Sequence, residues 1–241
     1  MELSKPKYDS TTNVLGGIPD YAGMIDYIVG EESVESAADN FVFRTTKATS
    51  RFKKAISAGF LAYKSIKHKK LFLEALMSKD FSLEEKLIIL FWQLTVCNEL
   101  YKEITDRVFL RALYSGRTSI DVNDVDAYIH HIKKESPEDI PWTDSTIHTT
   151  ASKYLTSLKK FGFASGTNKK EIHAPHISSS LFVYLVKLAM TVFPDEQTLS
   201  NPLFRFSFLD QQSIINRLKT IEYIPLWDIT QIGNNVTIKL K

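Results

Sequence analysis

Between Pro141 and Pro175 the chain reads PWTDSTIHTTASKYLTSLKKFGFASGTNKKEIHAP. On a helical wheel, Ser145, Thr149, Ser152, Lys153, Thr156 and Lys160 share one side of this stretch. They are short hydroxyls and amines with no carboxylate among them, and such groups can approach phosphates and base edges without repulsion. Ile147, Ala151, Tyr154, Leu155, Leu158 and Phe161 recur at helical spacing on the other side, which makes that side apolar. Exposing such a stripe would leave a large apolar patch, so it must face a core and turn the polar side outward. Thr143 and Asp144 are N-cap types placed where the apolar period begins, and Gly162 follows it as a C′ glycine would. Phe163 and Ala164 then start a short strand, Ser165 to Asn168 are turn formers, and Lys169 to His173 return as a second strand. A helix followed by a tight hairpin is the second half of a winged helix-turn-helix. On that reading the helix lies in a major groove and Lys169 and Lys170 rest on the backbone as the wing tip. The same stretch also reads as a solvated helix packed on its neighbours and followed by an ordinary hairpin.

A second group of candidates lies upstream. Residues 44–70 hold nine Lys or Arg and no Asp or Glu, whereas residues 1–43 carry a net charge of −6. The whole chain balances to +2, so the asymmetry is internal. The basic block is the electrostatic footprint expected for a polyanion. Lys47, Arg51 and Lys54 fall at i, i+4 and i+7 and form one stripe beside an apolar face of Ala48, Phe52, Ala55, Ile56, Phe60 and Tyr63. The competing readings are a solvated Lys-rich helix face and a stripe covered by the acidic leader.

Catalytic and metal chemistry is not expected. The chain has no GxSxG, P-loop, GxGxxG after a strand or HExxH. His130 and His131 are adjacent and cannot readily share one metal face. His173 and His176 are far in sequence from the single cysteine, Cys97, which is expected to be an inert core thiol. Asp121, Asp124 and Asp126 read as helix-start residues, not as an acid–base pair. No cofactor is expected. The lone cysteine fits a reducing compartment, and the polar Met1–Ser10 stretch is no signal peptide. The longest apolar run, Leu87 to Trp92, falls far short of the roughly 20 residues that span a bilayer. A cytoplasmic protein without membrane contact is expected.

These groups need a scaffold. The length of 241 residues, 44% hydrophobic and 24% charged, suits one or two soluble domains. Residues 1–12 look loosely tied. A first helix is expected from Pro19 and Asp20 to Gly30, a short one from Ser33 or Ser36 to Asn40, and a long one capped by Thr45 or Thr46. Leu71 to Met77 reads as another. Ser82 and Glu85 have capping-box spacing, and the helix they open is apolar nearly all round, so it is the expected centre of the core. Glu99 to Tyr114 continues helically to Gly116, and Asp121 or Asp124 caps a helix ending near Lys134. Further helices are expected at 181–192 and after Asp210. Leu226–Ile229 and Val236–Leu240 form a hairpin across Gly233-Asn234-Asn235. The fold class is mainly α: a helical bundle over 14–135, then a winged-helix-like half over 136–241 with small β-hairpins.

The order of segments resembles the BrxA family of the BREX phage-defence systems. The resemblance rests on GGIPDYAGMIDYIVGEES, DNFVFRTTKATSRFKKAISAGFLAY, KLIILFWQLTVCNELYKEITDRVFLRALYSG, DVNDVDAYIHHI and STIHTTASKYLTSLKKFGFAS, followed by a C-terminal helix and hairpin. It implies a small, mainly helical, non-catalytic protein that binds double-stranded DNA beside other defence-system proteins. The family's arginine-rich segment corresponds to Arg44, Lys47, Arg51, Lys53 and Lys54. Lysine in place of some arginines favours point-charge contact with phosphates over bidentate base reading. The expected DNA contacts are these five residues with Ser145, Thr149, Lys153, Lys160, Lys169 and Lys170. The alternative is a structural adaptor that holds protein subunits of a defence complex.

Overall fold

The apolar run Leu87–Trp92 lies on α5 (Leu83–Cys97), whose residues Ile88 to Thr95 are all buried. Ser82 caps it as expected: its hydroxyl accepts from the Glu85 amide, and the Glu85 carboxylate accepts from the Ser82 amide at 2.8 Å. The computed structural model describes residues 7–32, 43, 45–233 and 235–241. Around α5 pack α2 (Tyr21–Glu32), α3 (Thr46–Phe60), α4 (Ile66–Met77), α6 (Glu99–Ile104) and α10 (Ser179–Val192). A helix buried on all sides must satisfy its polar side chains internally. Trp92 Nε1 donates to the Phe206 carbonyl at 2.8 Å, and Gln93 Nε2 donates to the Phe60 carbonyl at 2.7 Å. Gln93 Oε1 lies 2.7 Å from His68 Nε2. His68 Nδ1 already accepts from the Lys64 amide, so Nε2 carries the proton. Burial holds the imidazole neutral, with a pKa below its ordinary value.

The expected Glu99–Tyr114 helix is interrupted. After α6 the backbone widens into a π-helical turn, Thr105–Leu110, before α7 (Arg111–Tyr114). Then come β1 (Ser119–Ile120), α8 (Val122–Glu135), α9 (Asp144–Lys160), β2 (Ala164–Ser165) and β3 (Lys170–Ile172). A complete capping box of Asp121 and Asp124 starts α8, and Thr143 caps α9. The three strands form one antiparallel sheet in the order β1-β3-β2, with Ile120 opposite Lys170 and Ala164 opposite Ile172. The expected hairpin is therefore the outer part of a three-stranded sheet. Its third strand comes from before residue 135, and the buried residues on both sides of that position form one apolar cluster. After α10 follow a 3₁₀ turn (Pro202–Phe206), α11 (Gln211–Leu218), β4 (Trp227–Ile232) and β5 (Asn235–Leu240).

Two expectations at the N-terminal end are corrected. Thr11–Leu15 is a helical turn, α1, with Thr11, Thr12 and Leu15 buried, although residues up to 12 read as loosely tied. The Thr12 hydroxyl donates to Asn98 Oδ1 at 3.3 Å, so polar side chains bury there because a partner from α6's cap meets them. α2 continues past Gly30 to Glu32. The helix expected at 33–40 lies outside the described residues.

Cys97 ends α5. Its thiol donates to the Ala62 carbonyl at 3.2 Å, and burial pushes its pKa up to about 12. The reactive species is the thiolate. Alkylation by iodoacetamide at neutral pH should therefore run about a thousandfold more slowly in the native protein than in denaturant. Equal rates in the two conditions would contradict this environment.

Candidate nucleic-acid interface

The rotation of α9 is set from its buried side. Ile147, Ala151, Tyr154, Leu155 and Leu158 are all buried. Phe161 and Phe163, just beyond the helix, close onto Phe91 of α5 with ring centroids 5.8 and 4.8 Å away. Such edge-to-face aromatic contacts orient as well as bury. Ser145, Thr149 and Ser152 are consequently exposed, and Lys153 and Thr156 are half-buried. The threonines do not present free donors. Thr149 Oγ1 donates to the Ser145 carbonyl at 2.8 Å and Thr156 Oγ1 to the Ser152 carbonyl at 2.9 Å. This back-bonding leaves their oxygen lone pairs outward, so they present acceptors.

The cations divide into free and engaged. Lys160 was expected to point outward as a phosphate contact. Instead its ammonium donates to the Gly16 carbonyl at 2.9 Å and to the Ile18 carbonyl, and it lies over the Tyr21 ring. It terminates the α1 segment, and burial lowers its pKa. Lys170, expected at the wing tip, folds back instead. Its ammonium donates to the Gly166 carbonyl at 3.2 Å and to the Thr167 carbonyl, closing the turn. Burial, with Lys159 nearby, lowers its pKa. Gly166 makes that turn possible with φ 83°, a left-handed value that glycine adopts without strain. Lys169 is exposed, and among the described residues it has no ion-pair partner.

On α3, Lys47, Arg51 and Lys54 are exposed and Lys53 is half-buried. Lys53 Nζ sits 5.1 Å from the Tyr27 ring centroid. Among the described residues none of the four has a salt bridge, so the described part of the leader does not neutralise them. Arg44 lies outside the described residues. The two basic elements share a neighbour: α1 packs on both α3 and α9. Gly17 lies against the Phe52 ring, and Gly16 lies on the Lys153 carbonyl. The structure therefore sets Arg51 and Lys54 on one side of α1 and Lys153 on the other.

Sequence reasoning passed over two groups at this surface. His148 on α9 lies 3.4 Å from Asp126, which also takes His130 at 3.3 Å, tying α9 to α8. The i, i+4 spacing of Asp126 and His130 was the available signal. Lys159 is exposed at the base of the hairpin, its ammonium 3.4 Å from the Gly166 carbonyl. Among the described residues no cluster of His, Cys, Asp or Glu is disposed to hold a metal, and no helix is long and apolar enough to cross a membrane.

No curated protein and no solved structure matches the chain. The family model for BrxA matches residues 46–188, from the first residue of α3 into α10. That span exceeds half of the chain and contains α3, α9 and the hairpin that follows it. By this match the chain belongs to the BrxA family and is a protein of a BREX phage-defence system.

Proposed function

We propose that the chain is a non-catalytic accessory protein of its defence system, acting in the cytoplasm on double-stranded DNA with little sequence specificity. One observation carries this reading. The order β1, α8, α9, β2, β3, with sheet order β1-β3-β2, matches the order of a winged helix-turn-helix and supports the reading in which α9 enters the major groove. The polar face of α9 is turned outward and carries no arginine. Arginine–guanine forks are the commonest specific base contact, so readout from this helix is weak. Affinity then comes from phosphate contacts by Lys153 and Lys169, and by Lys47, Arg51, Lys53 and Lys54 across α1. The non-catalytic reading is supported by the sequence, which carries no GxSxG, P-loop, GxGxxG after a strand or HExxH.

The test is a titration of unrelated duplexes at several salt concentrations. The affinities should agree within a few-fold across sequences. Log K should fall with log salt at a slope of about −0.9 per phosphate neutralised, roughly −5 to −5.5 for six contacts. A slope near zero, or no binding at low salt, would overturn the reading.

A further inference from the structure

The outer side of α4 carries apolar side chains that nothing covers. Its inner side is His68, Phe72, Ala75 and Leu76, all buried, and α2, α5 and α10 pack on the helix. On the outer side Ile66 is 88% and Met77 53% exposed, and Leu73, between them along the helix, is half-buried. Single exposed apolar residues are ordinary on a protein surface. These three are not scattered. With Lys70 they fall at i, i+4, i+7 and i+11, one line along the helix. That is the spacing of the seam along which two helices pack.

The charges beside this line are few and of both signs. On one flank Lys67 and Glu74 stand at i and i+7, both exposed. Among the described residues Lys67 has no ion-pair partner. Glu74 pairs there only with Lys70, at 3.7 Å with both side chains well exposed, and such a pair is worth little. On the other flank Lys69 is already held by Glu32. The open flank therefore reads positive, then negative, along the helix.

This pattern selects the occupant. A duplex would set phosphates against the apolar row and against Glu74. An anionic lipid surface would repel Glu74 as well, and so would a wholly acidic helix. A helix with an apolar seam and the reverse order of charges, negative opposite Lys67 and positive opposite Glu74, satisfies both. α4 itself, run in the opposite direction, is such a helix. We propose that α4 pairs antiparallel with α4 of a second copy of this chain about a two-fold axis. Ile66 then rests on Met77 of the partner subunit and Lys70 on Leu73 of the partner subunit, each contact occurring twice as an isologous interface requires. Lys67 faces Glu74 of the partner subunit, again twice. Lys70 lays its aliphatic stem along the seam and keeps its ammonium in water; a lysine in such a seam fixes register at a cost in stability. Opposed directions also bring the positive end of each helix dipole to the negative end of the other. A pair of helices of 12 residues falls below the standard interface of about 800 Å² per partner. The dimer is therefore reversible, with a Kd on the order of 100 μM.

The test is sedimentation equilibrium of the full chain over about 5–500 μM. The wild type should pass from monomer to dimer across this range. Lys67→Glu and Glu74→Lys should each weaken the dimer by at least about tenfold, because each sets like charges together at both symmetric places. Mixed in equal amounts, the two variants should pair with each other within about threefold of the wild-type affinity, since each supplies the sign the other lacks. Ile66→Ser with Met77→Ser leaves every charge in place and should abolish the dimer; it carries the test if either charge variant melts below the wild type. A wild type that stays monomeric throughout overturns the proposal, as does a dimer that the variants leave unchanged. Loss of the dimer in folded Lys67→Glu and Glu74→Lys without recovery on mixing overturns the antiparallel pairing.

Discussion

Replacing Lys153 and Lys169 together by Glu should reduce duplex affinity at low salt by roughly a hundredfold and flatten the salt slope by about two units. Both ammonium groups lack an ion-pair partner among the described residues, Lys169 at the hairpin tip and Lys153 on the outward flank of α9. Each lost phosphate contact removes about one unit of slope, and reversing the charge adds repulsion. The loss should be the same for every duplex, because lysine meets phosphate as a point charge. Reversing Arg51, Lys53 and Lys54 should act in the same way on the other side of α1, flattening the slope by about three units. Lys160→Gln is the informative contrast. Its ammonium is held by the carbonyls of Gly16 and Ile18, so this change should lower the melting temperature and leave the salt slope intact. A flattened slope with Lys160→Gln, or an unchanged one with Lys153→Glu and Lys169→Glu in a folded protein, would contradict the proposed DNA face.

Gly16→Ala should destabilise the protein by about 3 kcal/mol and lower its melting temperature by roughly 6–12 °C. A Cβ at position 16 would stand 2.2 Å from the Lys153 carbonyl oxygen and 2.7 Å from its carbon. These are backbone atoms of α9, which cannot rotate away as a side-chain tip would. The methyl group must therefore push α1 off α9, stretching the Lys160 bonds and unseating Leu15, which is 1% exposed. The backbone at Gly16 is right-handed, with φ −61°, so alanine's conformational preference is no obstacle; the cost is one of space. Gly23→Ala is the control. Its nearest contact would be the Asp20 carboxylate at 3.0 Å, a side-chain end that accepts from the Ala22 and Gly23 amides and need give by only a few tenths of an ångström, and a helical glycine replaced by alanine gains up to about 1 kcal/mol. Equal melting temperatures for the two variants would refute the tight α1–α9 contact. Because α1 lies between α3 and α9, Gly16→Ala should also weaken duplex binding without changing any charge.

Sequence alone determined the elements whose signals are local. The apolar period of α9, the Thr143 cap, the Ser82–Glu85 box and the turn at Gly166 each need only neighbouring residues, and each formed as expected. The same locality let the inward and outward sides of α9 be separated, since burying one stripe fixes the rotation of the whole helix. Other features depended on partners distant in sequence. β1 is two residues long, too short to show alternation, and it is a strand only because β3 supplies its hydrogen bonds. α1 reads as a polar leader, and it is ordered only because Asn98, Lys160 and the backbone of Lys153 receive it. The fate of each cation was decided in the same way. Lys153, Lys160, Lys169 and Lys170 are alike in sequence, but a free carbonyl within reach of a long flexible amine captures it. Uncapped carbonyls stood beside Lys160 and Lys170 and not beside Lys169. Composition and spacing report how much charge a surface carries; which of those charges stay open to a ligand is settled by the carbonyls and carboxylates that tertiary packing brings next to them.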